Sequence, residues 1–423
     1  MKLHADAAIT PEGVVFDAEV SVEGDRITYV GPQLSPKDEA TQLPGQVLLP
    51  GFVNAHTHSA MTLLRGADDD HGFMPWLAEV QALEQHLTHE DVEAGLGLAM
   101  LEMISTGTTA FADMYVWTEA LIEQVKAAGM RVYAAHAVNA ADGNMFPGVT
   151  SRNGREELGY ACELAAKYAG DPQVRIGFGP HAPYSVTTEF WREIIETARA
   201  HSIPIHTHVS ESPAEVADAL ERFGDTPADY LGKLGIFDTD LLAAHCVHFT
   251  ESEIRSFAER GAALSHNPVS NMKLGNGVAP LTDFIAAGVR VGIGTDSVAS
   301  NNSLDMFEEV KFSTILHRGV QENAAAVQAA KVLELASNGD AIGFPDAAGI
   351  AAGKLADLVA VAVSDLHNPV SEIAFAANGH RVKQVWIGGR HVYRDGEFLT
   401  LDEHDIRQRA AASMQRLRAA AGS

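Results

Sequence analysis

Histidine and aspartate residues stand at the ends of several short apolar runs in this 423-residue chain. The residues concerned are His56, His58, His206, His208, His245 and Asp296. Side chains of a strand alternate between its faces, so both members of a His-x-His pair face the same side and can chelate one ion together. Three or four imidazoles and one carboxylate make a site that suits Zn²⁺, and also Fe²⁺ or Mn²⁺. The pattern therefore predicts a divalent metal site.

The distance of each residue from the end of its apolar run distinguishes candidate metal ligands from neighbouring polar residues. His208 lies nearer the end of its run than His206, so His208 is the predicted ligand and His206 a residue that packs inside the fold. Glu211 follows three residues later, where its carboxylate would stand beside the metal without binding it. The alternative for Glu211 is an acidic residue at the start of a helix, where carboxylates are favoured. The run 174–179 contains no lysine that could bridge two ions, so a single ion is predicted.

Such a site supports hydrolysis. A zinc ion with an open coordination position lowers the pKa of bound water to about 7 and so supplies hydroxide at neutral pH. Asp296 could take the proton of that water, Glu211 could protonate the substrate, and His245 could hold or polarise the hydroxide. These three residues are the predicted catalytic groups for attack on an electron-poor carbon, with ammonia, chloride or an amine as the leaving group.

Short apolar runs that alternate with amphipathic stretches of helical length must position these side chains. This rhythm is typical of repeated βα units. The eight candidate strands are 51–56, 108–113, 131–137, 174–179, 203–208, 241–245, 262–266 and 289–296. In a closed (β/α)8 barrel the carboxyl ends of all eight strands meet at one mouth, where the active site lies. A doubly wound open sheet is the alternative, but the glycine-rich turn expected after its first strand is missing.

The two ends of the chain have a different pattern. Residues 1–50 and 352–423 contain short alternating runs that are punctuated by Gly and Pro, as in hairpins. The sequence therefore predicts an α/β fold in which residues 51–351 form a TIM-like barrel. Both ends together are predicted to form a small composite β-sandwich domain, with a helix from about Leu401.

Composition and charge limit the partners of the protein. Acidic residues outnumber basic residues by 56 to 30, and the formal net charge is -26. A polyanion of this kind repels phosphate backbones and anionic lipid, so we expect neither nucleic acid nor membrane as a partner, but a small neutral or zwitterionic substrate. The two cysteines are too few for a disulfide framework, and we find neither a signal peptide nor a membrane-spanning run. A cytoplasmic location is predicted.

Six ordered motifs resemble one known family. They are PGFVNAHTH at 50–58, HVSE at 208–211, AHCVH at 244–248, SHNP at 265–268, GTDS at 294–297 and GKLADLV at 353–359. Together they look like the amidohydrolase superfamily. More closely, they resemble its branch of 5-methylthioadenosine/S-adenosylhomocysteine deaminases and related chlorohydrolases. The resemblance covers nearly the whole chain and is more specific for chemistry than for substrate.

The resemblance implies a role for each motif. It implies a metal site formed by His56, His58, His208 and Asp296, with Glu211 and His245 assisting proton transfer and water activation. Among substrate contacts, Trp76 would match an aromatic wall, Glu84 an acceptor for ribose hydroxyls, and His181 a further contact. For Trp76 and Glu84 the alternatives are a helix residue packed on the barrel and a solvated charge. The implied protein is a homo-oligomeric zinc enzyme that releases ammonia from an aminated purine nucleoside with water as co-substrate.

The chain also departs from the family pattern. His136 stands where members that bind homocysteine carry an Arg at the end of the third strand, although Arg152 or Arg155 could still bind a carboxylate. S-adenosylhomocysteine is therefore a weaker candidate than 5'-methylthioadenosine or adenosine. Alternative activities are deamination of a guanine-like base or a pterin and dechlorination of a triazine. The non-enzymatic alternative is a metal-binding barrel scaffold.

Overall fold

The closed barrel predicted from the sequence is present. A computed structural model describes residues 1–364 and 366–420. Within them, eight parallel strands close into a barrel, and strands from both ends of the chain form a separate mixed sheet of eight strands. Residues 365 and 421–423 of the predicted terminal domain lie outside the described residues.

The first four and the last four strands form the terminal sheet, and the eight strands between them form the barrel. The terminal sheet contains β1 (Lys2–Thr10), β2 (Gly13–Glu23), β3 (Arg26–Pro32), β4 (Thr41–Pro50), and, after the barrel, β13 (Leu358–Ala362), β14 (Val382–Ile387), β15 (Arg390–Arg394) and β16 (Glu397–Phe398). Its order is β16-β15-β14-β13-β4-β1-β2-β3, so the two ends of the chain meet where β13 pairs with β4. We propose the predicted division at residues 51 and 351 as the boundary between the two units.

The barrel strands lie between these terminal strands. They are β5 (Phe52–Thr57), β6 (Thr108–Tyr115), β7 (Arg131–Ala137), β8 (Val174–Gly179), β9 (Ile205–Val209), β10 (Leu241–His245), β11 (Ala263–His266) and β12 (Arg290–Ile293). Their order around the barrel is β10-β11-β12-β5-β6-β7-β8-β9. The predicted bounds of β7, β8 and β10 agree with the structure at both ends, whereas the predicted run 289–296 is longer than β12.

Helices surround the barrel and cover its mouth. Their bounds are α1 (Phe73–Glu84), α2 (His89–Ser105), α3 (Glu119–Ala128), α4 (Gly154–Lys167), α5 (Thr188–His201), α6 (Pro213–Phe223), α7 (Pro227–Leu234), α8 (Glu251–Glu259), α9 (Pro268–Lys273), α10 (Leu281–Ala286), α11 (Met306–Val320), α12 (Ala329–Ala336), α13 (Pro369–Ser371) and α14 (Glu403–Ala420). A capping box of Thr88 and Asp91 begins α2. Asp91 also pairs with Arg416 of α14, which ties the C-terminal helix to the barrel. Among the residues described, no helix has the length and apolar character needed to cross a membrane.

One face of the terminal sheet has an apolar core of its own, and the other face shares the apolar core of the barrel. Strand residues such as Leu3, Val20, Leu48 and Trp386 form the core of the terminal sheet. The barrel strands are buried on both faces, as parallel strands covered by helices must be. A buried ion pair between Arg131 and Asp357 joins the start of β7 to the residue before β13. This ion pair lies at the end of the barrel opposite the mouth. It therefore attaches the barrel to the terminal sheet away from the polar residues at the mouth.

Candidate active site

The polar residues predicted from the sequence meet at the mouth of the barrel. His56 lies on β5, His208 on β9 and His245 at the end of β10. Glu211 follows β9, and Asp296 follows β12. All five side chains are buried. The carboxyl ends of four strands that are far apart in the sequence are thus brought to one point, as the barrel requires.

The backbone turns sharply where these strands end. Ser210, His245 and Asp296 have φ of 52°, 72° and 60°, in the left-handed region that non-glycine residues rarely adopt. The chain leaves the ladder after β12 at Gly294, where a Cβ would come within 2.6 Å of the His56 backbone nitrogen. The amide of Asp296 then donates to the His56 carbonyl at 2.9 Å. This hydrogen bond holds Asp296 beside His56, and the left-handed backbone at Asp296 ends the extended run.

Four side chains surround a point that could hold a metal ion. His56, His208, His245 and Asp296 each offer one ligand atom, and these atoms all lie within 4.8 Å of one another. His58 is adjacent, because its Nε2 lies 3.4 Å from Asp296 Oδ1 and 3.3 Å from His208 Nε2. The sequence does not decide between three and four imidazole ligands. In the structure, His245 lies as near the centre of the four-residue cluster as the predicted ligands do.

Backbone carbonyls set the tautomers of the imidazoles. His58 Nδ1 donates to the Met114 carbonyl at 2.7 Å, and His208 Nδ1 donates to the His181 carbonyl at 2.6 Å. A carbonyl oxygen only accepts, so in both rings the lone pair is on Nε2, which faces the cluster. Such outer hydrogen bonds are typical of histidine ligands to metals.

His206 sets the tautomer of His56, and a backbone carbonyl in turn sets the tautomer of His206. His206 Nδ1 donates to the Leu242 carbonyl at 2.9 Å, so its Nε2 accepts from His56 Nδ1 at 2.7 Å. His56 Nε2 is then left with a lone pair that faces Asp296 Oδ1 at 3.3 Å. The interpretation of His206 as a packing residue is therefore incomplete, because this buried ring also orients a candidate ligand.

The charges of the cluster suit a cation. Burial lowers the pKa of His56 to about 3 and the pKa of His208 well below its usual range, so both rings are neutral. Burial alone would raise the pKa of Asp296, but its interactions with the imidazoles around it outweigh burial and hold that pKa well below its usual range. Neutral imidazoles beside an ionised carboxylate are the donor set of a divalent metal site.

Glu211 and His245 face each other next to this cluster. His245 Nε2 lies 3.7 Å from Glu211 Oε2 and 3.9 Å from Asp296 Oδ2. Burial, with the charges of Asp296 and Glu215, raises the pKa of Glu211 well above its usual range. Glu215 of α6 accepts the backbone amides of Ser210 and Glu211 at 3.0 and 2.6 Å, which fixes the chain at the end of β9. Glu211 is therefore a buried acid that can hold a proton near neutral pH.

A cavity of about 110 Å³ opens above the cluster. Three of the predicted substrate-contact residues, Trp76, Glu84 and His181, line it. Trp76 Nε1 donates to the Ala299 carbonyl at 3.1 Å, and Glu84 Oε1 accepts from the Tyr115 hydroxyl at 2.7 Å. The rest of the lining is mostly apolar and includes Phe73, Leu77, Val80, Met145 and Phe146. Among the described residues around this cavity there is no lysine or arginine.

Arg152 and Arg155 lie outside this lining. Arg152 Nε donates to Glu157 Oε2 at 2.8 Å, and its guanidinium carbon lies 3.8 Å from the centre of the Tyr160 ring. It borders a side cavity of about 20 Å³, which has room for roughly one water molecule. Arg155 pairs with Asp142 and Glu193 on the surface. The structure thus brings together every predicted metal and catalytic residue, but it does not bring either arginine to the main cavity.

His136 is neutral in this arrangement. Its Nδ1 accepts from the Trp117 amide at 3.0 Å, so this nitrogen carries a lone pair and no proton. Its Nε2 lies 2.7 Å from Glu157 Oε2 and donates to it. A ring held in this way carries no positive charge toward a ligand.

The site also contains polar residues that sequence reasoning missed. Ser270, Asn271 and Asn276 are buried and make hydrogen bonds to Asp296, His245 and Glu211. They fall between β11 and β12, and a signal was present, because this connection is unusually rich in Ser and Asn for a buried segment. The sequence alone does not reveal their partners.

Comparison with known proteins is consistent with this site. Residues 47–392 match the model of the Amidohydrolase family. A 5-methylthioadenosine/S-adenosylhomocysteine deaminase from Pelotomaculum thermopropionicum is 36% identical to this chain, over 96% of this chain and 95% of its own length. A 5'-deoxyadenosine deaminase from Methanopyrus kandleri is 34% identical, over 97% of each chain.

Two solved structures have the same fold. The crystal structure of an adenosine deaminase from Xanthomonas campestris with bound zinc superposes with a TM-score of 0.91 at 33% identity, and covers 99% of this chain and 98% of its own. The zinc complex of an atrazine chlorohydrolase from Arthrobacter aurescens has a TM-score of 0.86 at 22% identity, over 98% of this chain and 99% of its own. The second likeness concerns the fold alone.

Proposed function

The chain belongs to the amidohydrolase family and is a hydrolytic enzyme acting on C–N bonds, and we propose that it is a zinc-dependent deaminase of an aminated purine nucleoside. The observation that carries this proposal is a cluster of neutral imidazoles and one ionised carboxylate at the closed end of a largely apolar cavity. Relatives named for 5-methylthioadenosine, S-adenosylhomocysteine and 5'-deoxyadenosine support the nucleoside, and the zinc-bound adenosine deaminase supports the metal.

The residues present fit a metal ion. His56 Nε2 is buried and finds no hydrogen-bond partner among the described residues, which is costly unless an ion takes its lone pair. His56, His58, His208 and Asp296 would hold the ion, with their Nε2 and Oδ1 atoms converging on it. A Zn²⁺ bound there would lower the pKa of a coordinated water to about 7.

The side chains around the metal can carry the protons of a deamination. Water adds to the ring carbon that bears the amino group and gives one proton to Asp296. Glu211, whose raised pKa lets it arrive protonated, donates to the adjacent ring nitrogen. Asp296 passes its proton to the amino group, the carbon–nitrogen bond breaks and ammonia leaves. The hydroxyl proton returns to Glu211 as the oxygen of water becomes the carbonyl oxygen of the product. His245 Nε2, which is 3.7 Å from Glu211, orients the attacking water.

The cavity above the cluster suits a nucleoside. Trp76 and Phe73 stack at 6.1 Å between ring centres and form an aromatic wall for a purine. Glu84 uses Oε1 for the Tyr115 hydroxyl, so its second oxygen can accept a sugar hydroxyl. His181 lies against His208, with 4.6 Å between ring centres, where the base would reach the metal.

The far end of the cavity favours an uncharged 5' substituent. Arg152 is paired with Glu157, His136 is neutral, and no cationic side chain lines the described cavity. A carboxylate there would lose its hydration without gaining a charged partner, whereas a methylthio or hydroxyl group would pack on Met145 and Phe146. We therefore propose 5'-methylthioadenosine or adenosine as the preferred substrate and S-adenosylhomocysteine as a poor one.

Ammonia release by the zinc-loaded protein tests this function. The panel contains 5'-methylthioadenosine, adenosine, S-adenosylhomocysteine, guanine and a pterin. We expect kcat/KM for 5'-methylthioadenosine to exceed that for S-adenosylhomocysteine by about 10-fold or more, since burying an unpaired charge costs at least about 1.4 kcal/mol. The metal-free protein is the control and should release no ammonia.

Two outcomes would contradict the proposal. Turnover of guanine or the pterin without turnover of any nucleoside would move the enzyme to another substrate class. Equal kcat/KM for 5'-methylthioadenosine and S-adenosylhomocysteine would keep the deaminase but refute the role of the uncharged far end.

A further inference from the structure

One short segment, residues 270–276, makes a hydrogen bond to each of the three side chains that the proposed function uses for proton transfer. We infer that this segment is a positioning element, which holds one polar atom of each side chain and so fixes which atom His245 and Glu211 present to water and substrate. The inference rests on the proposed function for the reaction and assigns a role to Ser270, Asn271 and Asn276. The described lining of the cavity includes none of these three residues.

The segment donates two of the three hydrogen bonds and accepts the third. The Ser270 hydroxyl donates to Asp296 Oδ2 at 2.6 Å, and Asn276 Nδ2 donates to Glu211 Oε1 at 2.9 Å. His245 Nδ1 instead donates to Asn271 Oδ1 at 2.7 Å. Each carboxylate therefore meets a donor and the imidazole meets an acceptor. This arrangement favours an oriented carboxylate in two cases and the Nδ1–H tautomer in the third.

The atoms of His245 and Glu211 that the segment leaves free face each other. With its Nδ1 protonated, neutral His245 has its lone pair on Nε2. That atom lies 3.7 Å from Glu211 Oε2, the oxygen that Asn276 does not hold. If the proton of His245 were on Nε2 instead, the ring would face the reacting groups with a donor and could not accept a proton from water.

The segment itself is rigidly held. The amide of Asn276 donates to the Asn271 carbonyl at 2.8 Å, which ties the two asparagines to each other. His248 Nε2 donates to the Asn276 carbonyl at 2.8 Å, and on the outer side Lys273 Nζ donates to Asp69 Oδ1 at 2.6 Å. Ser270, Asn271 and Asn276 are at most 2% exposed, so water does not compete for their side chains.

Two matched substitutions test the polarity. Asn271→Asp keeps an acceptor for His245 Nδ1, so we expect kcat to fall by no more than about 10-fold. Asn276→Asp removes the donor and places a second carboxylate against Glu211, so we expect kcat to fall by roughly 100- to 1000-fold. KM and bound zinc should change little in both variants, because neither residue lines the cavity or is hydrogen-bonded to His56, His58, His208 or Asp296, which would hold the ion.

Two further variants separate positioning from folding. Asn271→Leu removes the acceptor at similar size, and we expect kcat to fall by about 100-fold. Asn338→Asp is the structural control, since Asn338 Nδ2 donates to the Val291 carbonyl at 2.9 Å near the start of β12, far from the mouth. It should lower the melting temperature and leave kcat unchanged. Equal kcat in Asn271→Asp and Asn276→Asp would overturn the inference.

A measurement without substrate keeps this test independent of the proposed function. In the zinc-loaded protein labelled with ¹⁵N-histidine, the signal assigned to His245 by its loss in His245→Gln should show a protonated Nδ1 and an unprotonated Nε2. A proton on Nε2 would overturn the inference. A wild-type protein that deaminates no nucleoside but shows the expected tautomer would refute only the proposed function.

Discussion

The two ends of the substrate cavity differ in the polar groups that they present to a ligand. At the closed end, Glu211 and His245 each have one polar atom bonded to the surrounding protein and another facing the cavity, and both oxygens of Asp296 accept hydrogen bonds. At the far end, Met145 and Phe146 line the cavity, and the nearby charged groups are paired with one another outside it.

This difference shows which part of the site requires precise orientation. A reacting side chain must present one chosen atom, and a second hydrogen-bond partner behind it removes the wrong rotamers and tautomers. A tail-binding region needs only shape and the absence of a mismatched charge, because van der Waals contact is not directional. We therefore expect substitutions at the closed end to change kcat or metal affinity and those at the far end to change selectivity or stability.

The largest effect is expected from Glu211→Gln. The amide keeps the shape of the side chain and can still face His245, but it cannot donate the proton that the ring nitrogen needs. We expect kcat to fall about 1000-fold, with the zinc content unchanged. Ammonia release and metal analysis on the same preparation measure both quantities. A variant that keeps most of its turnover would show that Glu211 is not the proton donor.

A smaller effect is expected from a substitution of His206, because this residue orients a candidate ligand and is not a predicted ligand itself. His206→Leu removes the acceptor of His56 Nδ1, so His56 can turn its lone pair away from the ion. We expect zinc affinity, measured by competition with a chelator, to fall by about 10- to 100-fold. His206→Gln offers an amide oxygen to the same nitrogen and is the matched control, with a smaller loss. Equal affinity in wild type and His206→Leu would show that His56 needs no support from this ring.

The sequence revealed the closed end far better than the far end. The barrel and the side chains at the strand ends could be predicted, because strand periodicity and the convergence of parallel strands fix where His56, His208 and Asp296 lie. The pairing of His206 with His56 could not be predicted, since it depends on ring rotamers in two strands that are far apart in the chain.

Loops were the least predictable part of the site. The run 68–70 has the composition of a solvated face, yet Asp68 is buried against His71, and Asp69 pairs with Lys273. Arg152 is another case, because a sequence shows that a cation is available but not that Glu157 already holds it. The partner of Asp69 comes from a distant segment, and the Asp68–His71 and Arg152–Glu157 pairs depend on loop conformations that local propensity does not set.

A still smaller effect is expected from Arg152→Met. If Glu157 and Tyr160 hold the guanidinium away from the substrate, its removal leaves substrate selectivity nearly intact. We expect the ratio of kcat/KM for 5'-methylthioadenosine to that for S-adenosylhomocysteine to change by less than about threefold, which corresponds to under about 0.7 kcal/mol. A much larger rise in this ratio, caused by loss of activity on S-adenosylhomocysteine alone, would show that Arg152 binds the carboxylate.

The smallest effect on turnover is expected from Glu157→Gln, which should change stability instead. Burial raises the pKa of Glu157, but hydrogen bonds from His136, Arg152 and Thr150 outweigh burial and hold that pKa below its usual value. A depressed pKa stabilises the fold above the unfolded-state value of about 4.3, and this contribution is lost as the pH falls through the folded-state pKa. We therefore expect the wild type to melt roughly 2–4 °C above the variant at pH 7, and the gap to close below about pH 4. Because Glu157 lies behind the cavity wall, kcat for 5'-methylthioadenosine should stay the same. A gap that is constant with pH, or that widens in acid, would mean that the ionised carboxylate does not stabilise the far end.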